Sequence, residues 1–427
     1  MIALLVLLAG PPDTLRLGPG IHPGPLVLTR PTVVLGAPGA ILRGDGKGSV
    51  IEIAAPGSVV RGLRVEGSGR DLDRDDAAIL VRADSVTLED LVLRDMLYGV
   101  YLREVRDVTL RRLDIQGPAG LDEGAMGDGI HFYHSRHVVA EGNRIRHVRD
   151  GMYFSYSDSL LVTGNHVSRV RFGLHYMFSH WNRFERNLFT DNAAGAVIMN
   201  SNGVIIRGNV FAWNAGSRSY GLVLQTATEP RVEDNVLVGN GIGVFFDNVI
   251  HGRFSGNLVA RNWLGFQLFT NSEGTDITGN AIAGNTFDVT GGGGADAYRF
   301  CVQGQGNYWE QATNDGYDLN QDGRLDTPHD ASSPLAELAR DRDGLRLFLQ
   351  SPAARALEWA EHTFPVFDVQ QAVDSCPLRH PLAPAMLASL PASREGAEGS
   401  ARNALAVSGL VLAAGILVLA LPGRRRA

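Results

Sequence analysis

The chain is poor in cysteine and lysine and has no strong excess of charge of either sign. Of its 427 residues, only Cys301 and Cys376 are cysteines. This excludes a disulfide-rich scaffold and any metal cage of four cysteines. The two thiols either pair in an oxidising compartment or stay separate. With Lys47 as the only lysine and a formal net charge of −7, the chain has no basic surface for nucleic acid, so we expect no nucleic-acid partner.

Motifs of several common enzyme classes are also missing. The sequence contains no phosphate-binding P-loop, no Gly-x-Ser-x-Gly nucleophile turn, no His-Glu-x-x-His zinc motif and no dinucleotide-binding fingerprint. Hydrophobic residues nevertheless make up 44% of the chain, which excludes a disordered protein. We therefore expect a folded protein whose function does not depend on these motifs.

The two ends of the chain predict an envelope location. Residues 2–8 form an apolar run, typical of a secretion signal, so residues 1–24 are a possible signal segment; a buried first strand is the alternative. Residues 404–422 are almost entirely apolar and long enough for a transmembrane helix. A linker at 384–403 precedes them, and a basic end at 423–427 marks the cytoplasmic side. The pattern predicts a periplasmic protein tethered to the inner membrane by its C-terminal helix.

The middle of the chain is a repeat of about 22 residues. An asparagine recurs in consecutive units, at Asn143, Asn165, Asn187, Asn209, Asn235, Asn257, Asn280 and Asn307. A glycine before an apolar segment recurs in the same rhythm, from Gly129 to Gly265. Each unit holds short alternating segments between Gly and Asn, which are residues of strands and tight turns.

One such unit cannot bury its own apolar face, whereas stacked units can. The repeat therefore predicts an all-β fold, a right-handed parallel β-helix over residues 25–310, with roughly 13 coils at ~4.8 Å per coil. Asparagines in register can hydrogen-bond along the stack as a ladder. We expect an antiparallel sandwich to lack such constant spacing.

Strand alternation predicts which side chains point outward. The first and third residues after each repeating glycine are apolar, as in Ile130 and Phe132, and belong to the core. The second and fourth residues then face outward, and these include His131, His175, Met177 and Met199. Imidazole and thioether groups together suit a soft cation such as Cu(I) better than zinc or calcium.

A copper site made by these four residues is one of three interpretations. The same face also carries Tyr133 and Tyr153, with His134 and His180 near the strand ends. Methionine and aromatic residues are common at adaptable binding surfaces, so these residues predict a partner surface with or without metal. Plain packing against another part of the chain is the third interpretation.

Carboxylates occur at three further places. Asp318, Asn320, Asp322 and Asp326 in residues 311–331 follow the spacing of an oxygen-rich calcium loop, although His329 stands where its closing Glu is expected; an acidic turn without metal is the alternative. Asp128 and Asp150 stand before the repeating glycines, either as stacked turn residues or as paired catalytic acids. After this loop, residues 332–383 predict a short helical tail.

Several further motifs occur in order along residues 25–380. They are the segments Gly36–Gly39, Gly44–Gly48, Asp150–Phe154, Phe172–Ser179, Asp191–Gly195, Ser219–Leu222, Gly316–Gly323 and Phe348–Ala353. In these segments the chain resembles the NosD family, the periplasmic β-helix maturation factors of nitrous oxide reductase. The Gly-Leu-His-Tyr-Met strand and the Leu-Gln-Ser-Pro-Ala segment are the least generic of these. A C-terminal membrane span departs from a purely soluble family.

The resemblance implies a non-enzymatic accessory role. Its members work with an ABC-type ATPase and permease and with a copper-binding lipoprotein, and they help to assemble the copper–sulfide centre of nitrous oxide reductase. On this basis His175, Met177 and Met199 would receive or pass copper. The alternative is a β-helix polysaccharide lyase, hydrolase or epimerase acting on uronate-containing glycans, because many β-helices bind glycans and fold alone does not decide function.

Overall fold

A computed structural model describes residues 13–216, 219–292, 294, 296–333, 356 and 372–382. Residues 1–12 of the predicted signal segment, most of the predicted helical tail, the linker at 384–403, the predicted span at 404–422 and the basic end at 423–427 lie outside the described residues. Among the residues that are described, no helix has the length and apolar character needed to cross a membrane.

The fold is a right-handed parallel β-solenoid of about thirteen coils, as the repeat predicts. Within each unit, a coil supplies up to three short strands, which pair in parallel with their counterparts in the neighbouring coil. A separate antiparallel pair joins His329–Asp330 to Val373–Asp374. The chain divides into two compact units at the Arg149–Asp150 boundary. Both units are built from the same type of coil.

Over residues 13–149, the described part of the first unit, the chain forms seventeen strands and one 3₁₀ turn, Glu123–Ala125. In chain order the strands are Asp13–Leu17 (β1), Gly20–Pro23 (β2), Leu26–Leu28 (β3), Thr32–Gly36 (β4), Ala40–Arg43 (β5), Ile51–Ile53 (β6), Val59–Arg61 (β7), Arg64–Glu66 (β8), Ala77–Val81 (β9), Thr87–Glu89 (β10), Val92–Arg94 (β11), Tyr98–Arg103 (β12), Thr109–Arg111 (β13), Asp114–Gln116 (β14), Ile130–Tyr133 (β15), Val139–Glu141 (β16) and Arg144–Arg146 (β17).

The solenoid begins earlier than the predicted start at residue 25. Strand β1 pairs residue by residue with β4, from Asp13 opposite Thr32 to Leu17 opposite Gly36. Residues 13–24, assigned above to the possible signal segment, therefore belong to the first coil. The predicted start at residue 25 was too late, because residues 13–24 were grouped with the apolar run at residues 2–8 as a possible signal segment.

The described residues of the second unit form twenty-three strands and one short helix, Glu310–Asp315 (α1). Its strands are Asp150–Ser155 (β18), Leu161–Thr163 (β19), His166–Ser168 (β20), Phe172–Met177 (β21), Arg183–Glu185 (β22), Leu188–Thr190 (β23), Ala194–Asn202 (β24), Ile205–Arg207 (β25), Val210–Ala212 (β26), Tyr220–Thr228 (β27), Arg231–Glu233 (β28), Val236–Val238 (β29), Ile242–Ile250 (β30), Arg253–Ser255 (β31), Leu258–Ala260 (β32), Leu264–Leu268 (β33), Thr275–Thr278 (β34), Ala281–Ala283 (β35), Phe287–Gly291 (β36), Tyr298–Arg299 (β37), Tyr308–Trp309 (β38), His329–Asp330 (β39) and Val373–Asp374 (β40).

The core lies inside the coils and is filled by the predicted inward positions. Met152, Phe154, Leu174, Tyr176 and Ile198 are each at most 1% exposed. Large apolar side chains of one coil pack on those of the next, so burial of this column drives the stacking. Strand alternation then leaves the residues between them on the outer face.

Two buried asparagine ladders explain the repeating Asn. In the first, each side-chain amide donates to the Oδ1 of the next asparagine, as Asn209 does to Asn235 at 3.0 Å and Asn235 to Asn257 at 2.9 Å. The backbone N–H of each asparagine donates to the same oxygen, for example from Asn209 to Asn235 at 2.8 Å. The second ladder runs five residues later, through Asn214 and Asn240. Both ladders satisfy buried turn groups that water cannot reach.

The second unit ends in a segment that covers the first ladder. The buried Asp374 carboxylate accepts hydrogen bonds from the backbone N–H of Asn307 at 2.7 Å and from Trp309 Nε1 at 2.9 Å. Cys301 and Cys376 are joined as a disulfide, with Cα atoms 5.7 Å apart. The disulfide therefore links the segment that carries Asp374 to the last coil.

Candidate functional site

The outer face of the second unit carries a column of sulfur and imidazole side chains. Met177 of β21 lies opposite Met199 of β24, and His175 lies opposite Val197. Met177, Met199 and His175 are all partly exposed, unlike the buried Leu174 and Tyr176 between them in sequence. The predicted outward facing and the register of the two methionines are thus as the repeat indicates. Neighbouring parallel strands are about 4.8 Å apart, so two thioethers and one imidazole lie on one small patch.

His175 is held in place by a buried carboxylate. Its Nδ1 lies 2.7 Å from the Oδ2 of Asp150, a residue on β18 with no exposed side-chain surface. Arg171 donates to both oxygens of the same carboxylate, from Nε at 2.8 Å and from Nη2 at 2.6 Å. Burial by itself raises the pKa of Asp150, but the hydrogen bonds from His175 and Arg171 outweigh it and hold this pKa below its usual range.

Aromatic side chains fix the rest of the patch. The Tyr153 hydroxyl donates to the Met177 Sδ at 3.7 Å. The His175 ring packs edge-on against the rings of Tyr153 and Phe172, with centroids 4.7 Å and 5.1 Å apart. The Arg171 guanidinium lies over the Phe172 ring at 4.6 Å. These contacts restrict the rotamers of His175 and Met177, which favours a preformed ligand set.

The column changes chemistry in the coils after Met199. Met199 lies opposite Gln225, and Gln225 lies opposite Asp247. Gln225 Nε2 donates to one oxygen of Asp247 at 2.8 Å, and Asn271 Nδ2 donates to the other at 2.7 Å. Both oxygens of the Asp247 carboxylate, a hard ligand, are therefore hydrogen-bonded to side-chain amides. The soft thioether ligands form a separate group at Met177 and Met199.

His131, the fourth predicted copper residue, belongs to the first unit. Its Nδ1 lies 2.8 Å from the Oδ2 of the buried Asp128. Its ring stacks on Tyr101, with centroids 4.4 Å apart and an angle of 6°, and only 9% of the residue is exposed. His131 thus also contacts a buried aspartate, but this aspartate is three residues away in the same coil, whereas Asp150 lies one coil before His175. The His131 ring lies in an aromatic cluster with Tyr98, Tyr101 and Tyr133.

The predicted partner-surface residues occur in both units. Tyr133 and His134 are in edge-on contact in the first unit, with ring centroids 4.4 Å apart. In the second unit, Tyr153 supports the methionine patch, and His180 accepts a hydrogen bond through Nδ1 from the backbone of Asn202. His180 also packs against Trp181, at 5.5 Å between ring centroids.

Exposed aromatic side chains next to Met177 were not among the residues predicted from strand alternation. Tyr156 and Phe178 stack at 5.3 Å between centroids, and they are 48% and 40% exposed, while Trp181 is 61% exposed. All three have positive φ, between 49° and 53°. In the next three coils, the position of Phe178 holds Asn200, Thr226 and Asn248, and asparagine is the residue of these best suited to this conformation. The strand-end position relative to the repeating glycine was the signal that could have found them.

The acidic loop is exposed and folds on its own carboxylates. The two oxygens of Asp318 accept the backbone N–H groups of Asp322 and Gly323, at 3.1 Å and 3.0 Å. Asn320 Oδ1 accepts from Asp322 N, and Asp326 Oδ2 accepts from Leu319 N at 2.7 Å. Gly323 has φ of +86°, so the sharp turn does require glycine. The four predicted residues are therefore brought together around one turn.

Comparison with known proteins identifies the family. The family model described as "Periplasmic copper-binding protein (NosD)" matches residues 115–314. The chain is 32% identical over 378 residues to a "Probable ABC transporter binding protein NosD" of Pseudomonas aeruginosa, covering 85% of this chain and 87% of the relative. A protein of the same name from Stutzerimonas stutzeri is 30% identical over 380 residues, covering 85% and 86%.

A solved structure shares the fold of this chain but little of its sequence. The A-module of the mannuronan C-5 epimerase AlgE6 from Azotobacter vinelandii superposes with a TM-score of 0.51 at 14% identity, over 67% of this chain and 89% of that module. Such low identity indicates a shared solenoid and carries no function. The two NosD proteins, by contrast, are 30% and 32% identical to this chain over most of both lengths. On this ground the chain belongs to the NosD family.

Proposed function

We propose that this protein is a non-enzymatic, periplasmic copper-binding accessory factor. It handles copper for the copper–sulfide centre of nitrous oxide reductase and works with an ABC-type ATPase and permease and with a copper-binding lipoprotein. The description of the family model as periplasmic and copper-binding supports the compartment and the metal. The names of both relatives support the transporter.

The observation that carries the proposal is the register of Met177 with Met199, on a face where His175 precedes Met177 by two residues. Thioethers and a neutral imidazole are soft or borderline ligands and prefer Cu(I). Two residues along one strand are separated by about 6.5–7 Å, so the three side chains can converge on one ion. Copper here is cargo, and partly exposed ligands suit its exchange.

The carboxylates weigh against a glycan-cleaving or epimerising site. Asp128 and Asp150 were the candidate acids, and both are fully buried and hydrogen-bonded to histidine. Polysaccharide chemistry needs carboxylates that reach the sugar from an open groove. These two are instead committed to orienting imidazoles, which supports an accessory role.

The test is a Cu(I) titration of the full chain against a colour-forming chelator. We expect wild type to bind Cu(I) and the variant His175→Ala with Met177→Ala to lose that binding. The same variant, in cells that lack the natural gene, is expected to reduce assembly of the copper–sulfide centre. Unchanged binding and unchanged assembly in the double variant would overturn the site.

Two further elements complete the proposal. Residues 404–422, outside the described residues, are proposed to tether the chain to the inner membrane, and deleting 403–427 should release it from membranes; continued retention would contradict this. Asp318, Asn320, Asp322 and Asp326 are proposed to bind a structural calcium ion. Calcium should raise the unfolding temperature of wild type but not of Asp318→Asn, and an equal response of both proteins would refute the calcium site.

A further inference from the structure

The carboxylate of Asp150 lies directly behind the imidazole of His175, on the neighbouring coil. We propose that Asp150 is a positioning residue of the metal site: it fixes the tautomer and the direction of His175 so that Nε2 presents its lone pair to the metal. This inference rests on the proposed copper site and deepens it. It assigns a role to a fully buried side chain that cannot itself reach the ion.

The hydrogen-bond geometry determines which ring nitrogen carries the proton. Arg171 donates two hydrogen bonds to Asp150, one to each oxygen, at 2.8 Å and 2.6 Å. A carboxylate engaged by a guanidinium in this bidentate manner is ionised and can only accept hydrogen bonds. His175 Nδ1, 2.7 Å from Oδ2, must therefore be the donor. In a neutral imidazole the other nitrogen, Nε2, is then the one with a free lone pair.

The ring has little freedom to turn away from this arrangement. It is held edge-on between Tyr153 and Phe172, and Phe172 is itself covered by the Arg171 guanidinium. Arg171 thus acts on the histidine twice, through Asp150 and through Phe172. A ligand whose orientation is fixed before binding loses less rotational entropy when the metal arrives.

The first unit offers a matched control for this arrangement. Asp128 is also fully buried, and its Oδ2 lies 2.8 Å from the Nδ1 of His131. That histidine is stacked on Tyr101 and belongs to an aromatic cluster. The copper site proposed here consists of His175, Met177 and Met199 and leaves out His131, so Asp128→Asn disturbs a buried aspartate–histidine pair that this site does not use.

The first experiment reads the tautomer directly. The full chain, metal-free and labelled with ¹⁵N in histidine only, is observed by nitrogen NMR at pH 8, and the His175 signals are assigned with His175→Gln. We expect Nδ1 to carry the proton in wild type and the tautomer to become mixed in Asp150→Asn. A proton on Nε2 in wild type would overturn the proposal without any variant at Asp150 having to fold.

The second experiment measures affinity. Asp150→Asn should weaken Cu(I) binding about 10- to 100-fold, the usual effect of removing a partner of a metal-bound histidine. Asp128→Asn should stay within about twofold of wild type. Equal losses in both variants would mean a general effect of burial and would refute the positioning role, as would wild-type affinity in Asp150→Asn.

The two experiments separate this inference from the proposed function. If wild type binds no Cu(I), the proposed function fails, and the tautomer measurement still decides whether Asp150 orients His175. If wild type binds Cu(I) and His175→Ala abolishes it while Asp150→Asn changes neither tautomer nor affinity, the copper site stands and the positioning role fails. Arg171→Gln removes the two hydrogen bonds from the guanidinium to Asp150 but keeps the carboxylate, so we expect a loss of Cu(I) affinity smaller than that of Asp150→Asn.

Discussion

Met177 and Met199 lie directly opposite each other on adjacent parallel strands of the solenoid. Parallel pairing repeats the same position of the coil, so a ligand type that recurs at the repeat spacing becomes a pair in space. The two thioethers are brought together by strand pairing alone, without loops from distant parts of the chain. The solenoid is therefore well suited to build a soft-metal patch from two neighbouring repeats.

The first prediction separates sulfur chemistry from hydrophobic packing. Leucine has nearly the volume of methionine but no ligand atom, so Met177→Leu with Met199→Leu should keep the fold. We expect Cu(I) affinity to fall by at least about tenfold, because the soft ligands are lost. A chelator competition measures it. The matched control is Met152→Leu, an inward-facing methionine with no exposed surface, which should leave affinity unchanged; equal effects of both would contradict a sulfur site.

The second prediction concerns the asparagine ladder. Asn235 accepts from the backbone and side-chain amides of Asn209 and donates to Ile206 O at 2.8 Å. Asn235→Ala leaves several buried groups without partners, each of which costs about 1–3 kcal/mol. We expect the free energy of unfolding to fall by about 2–4 kcal/mol, measured by denaturant titration. Asn202→Ala, at an exposed site, should change it by less than about 0.5 kcal/mol.

The third prediction concerns the Cys301–Cys376 disulfide of the second unit. The disulfide joins Cys301 and Cys376 across 75 residues of sequence. Reducing it, or replacing both residues by Ala, should lower the free energy of unfolding by about 2–4 kcal/mol, because the unfolded chain gains freedom. Calorimetry with and without reductant measures this loss. If reductant further destabilised the double Ala variant, the effect would not come from this bond.

The fourth prediction concerns the buried Asp288. Burial raises its pKa to about 6, and the nearby charge of Glu310 raises it as well, whereas the hydrogen bond from Asn285 lowers it. The folded protein then binds a proton that the unfolded chain releases between about pH 4 and 6. Stability from this group is present at low pH and is lost as pH rises through 6.

Asp288→Asn keeps an acceptor for Asn285 and removes the charge. We expect this variant to be more stable than wild type at pH 8, by at most about 3 kcal/mol, with the difference shrinking as pH falls toward 4. Denaturant unfolding at several pH values measures the difference. A variant that is less stable than wild type at pH 8, or a difference that does not vary with pH, would contradict the assignment.

Much of the architecture follows from the repeat alone. Constant spacing of Gly and Asn predicts the coil, and strand alternation predicts that Leu174 and Tyr176 are buried while His175 and Met177 face outward. Those two rules also bring Met177 next to Met199. The start of the solenoid was missed because residues 13–24 were grouped with a possible signal segment.

The supporting residues of the site could not be derived in this way. Asp150 stands where a turn residue is expected, and its sequence position does not reveal that it reaches His175 in the following coil instead of solvent. Arg171 and Phe172 matter through their packing on that same pair. The exposed stack of Tyr156 and Phe178 likewise depends on the left-handed turns at the strand ends.

The sequence by itself determined the period, the inward column and the order of outward side chains, because a solenoid converts spacing along the chain into register in space. Only the tertiary structure decided which side chains of neighbouring coils touch. Hydrogen bonds such as that between Asp150 and His175 depend on rotamers and on the exclusion of water from the coil corner. These are properties of packed coils, and no single repeat contains them.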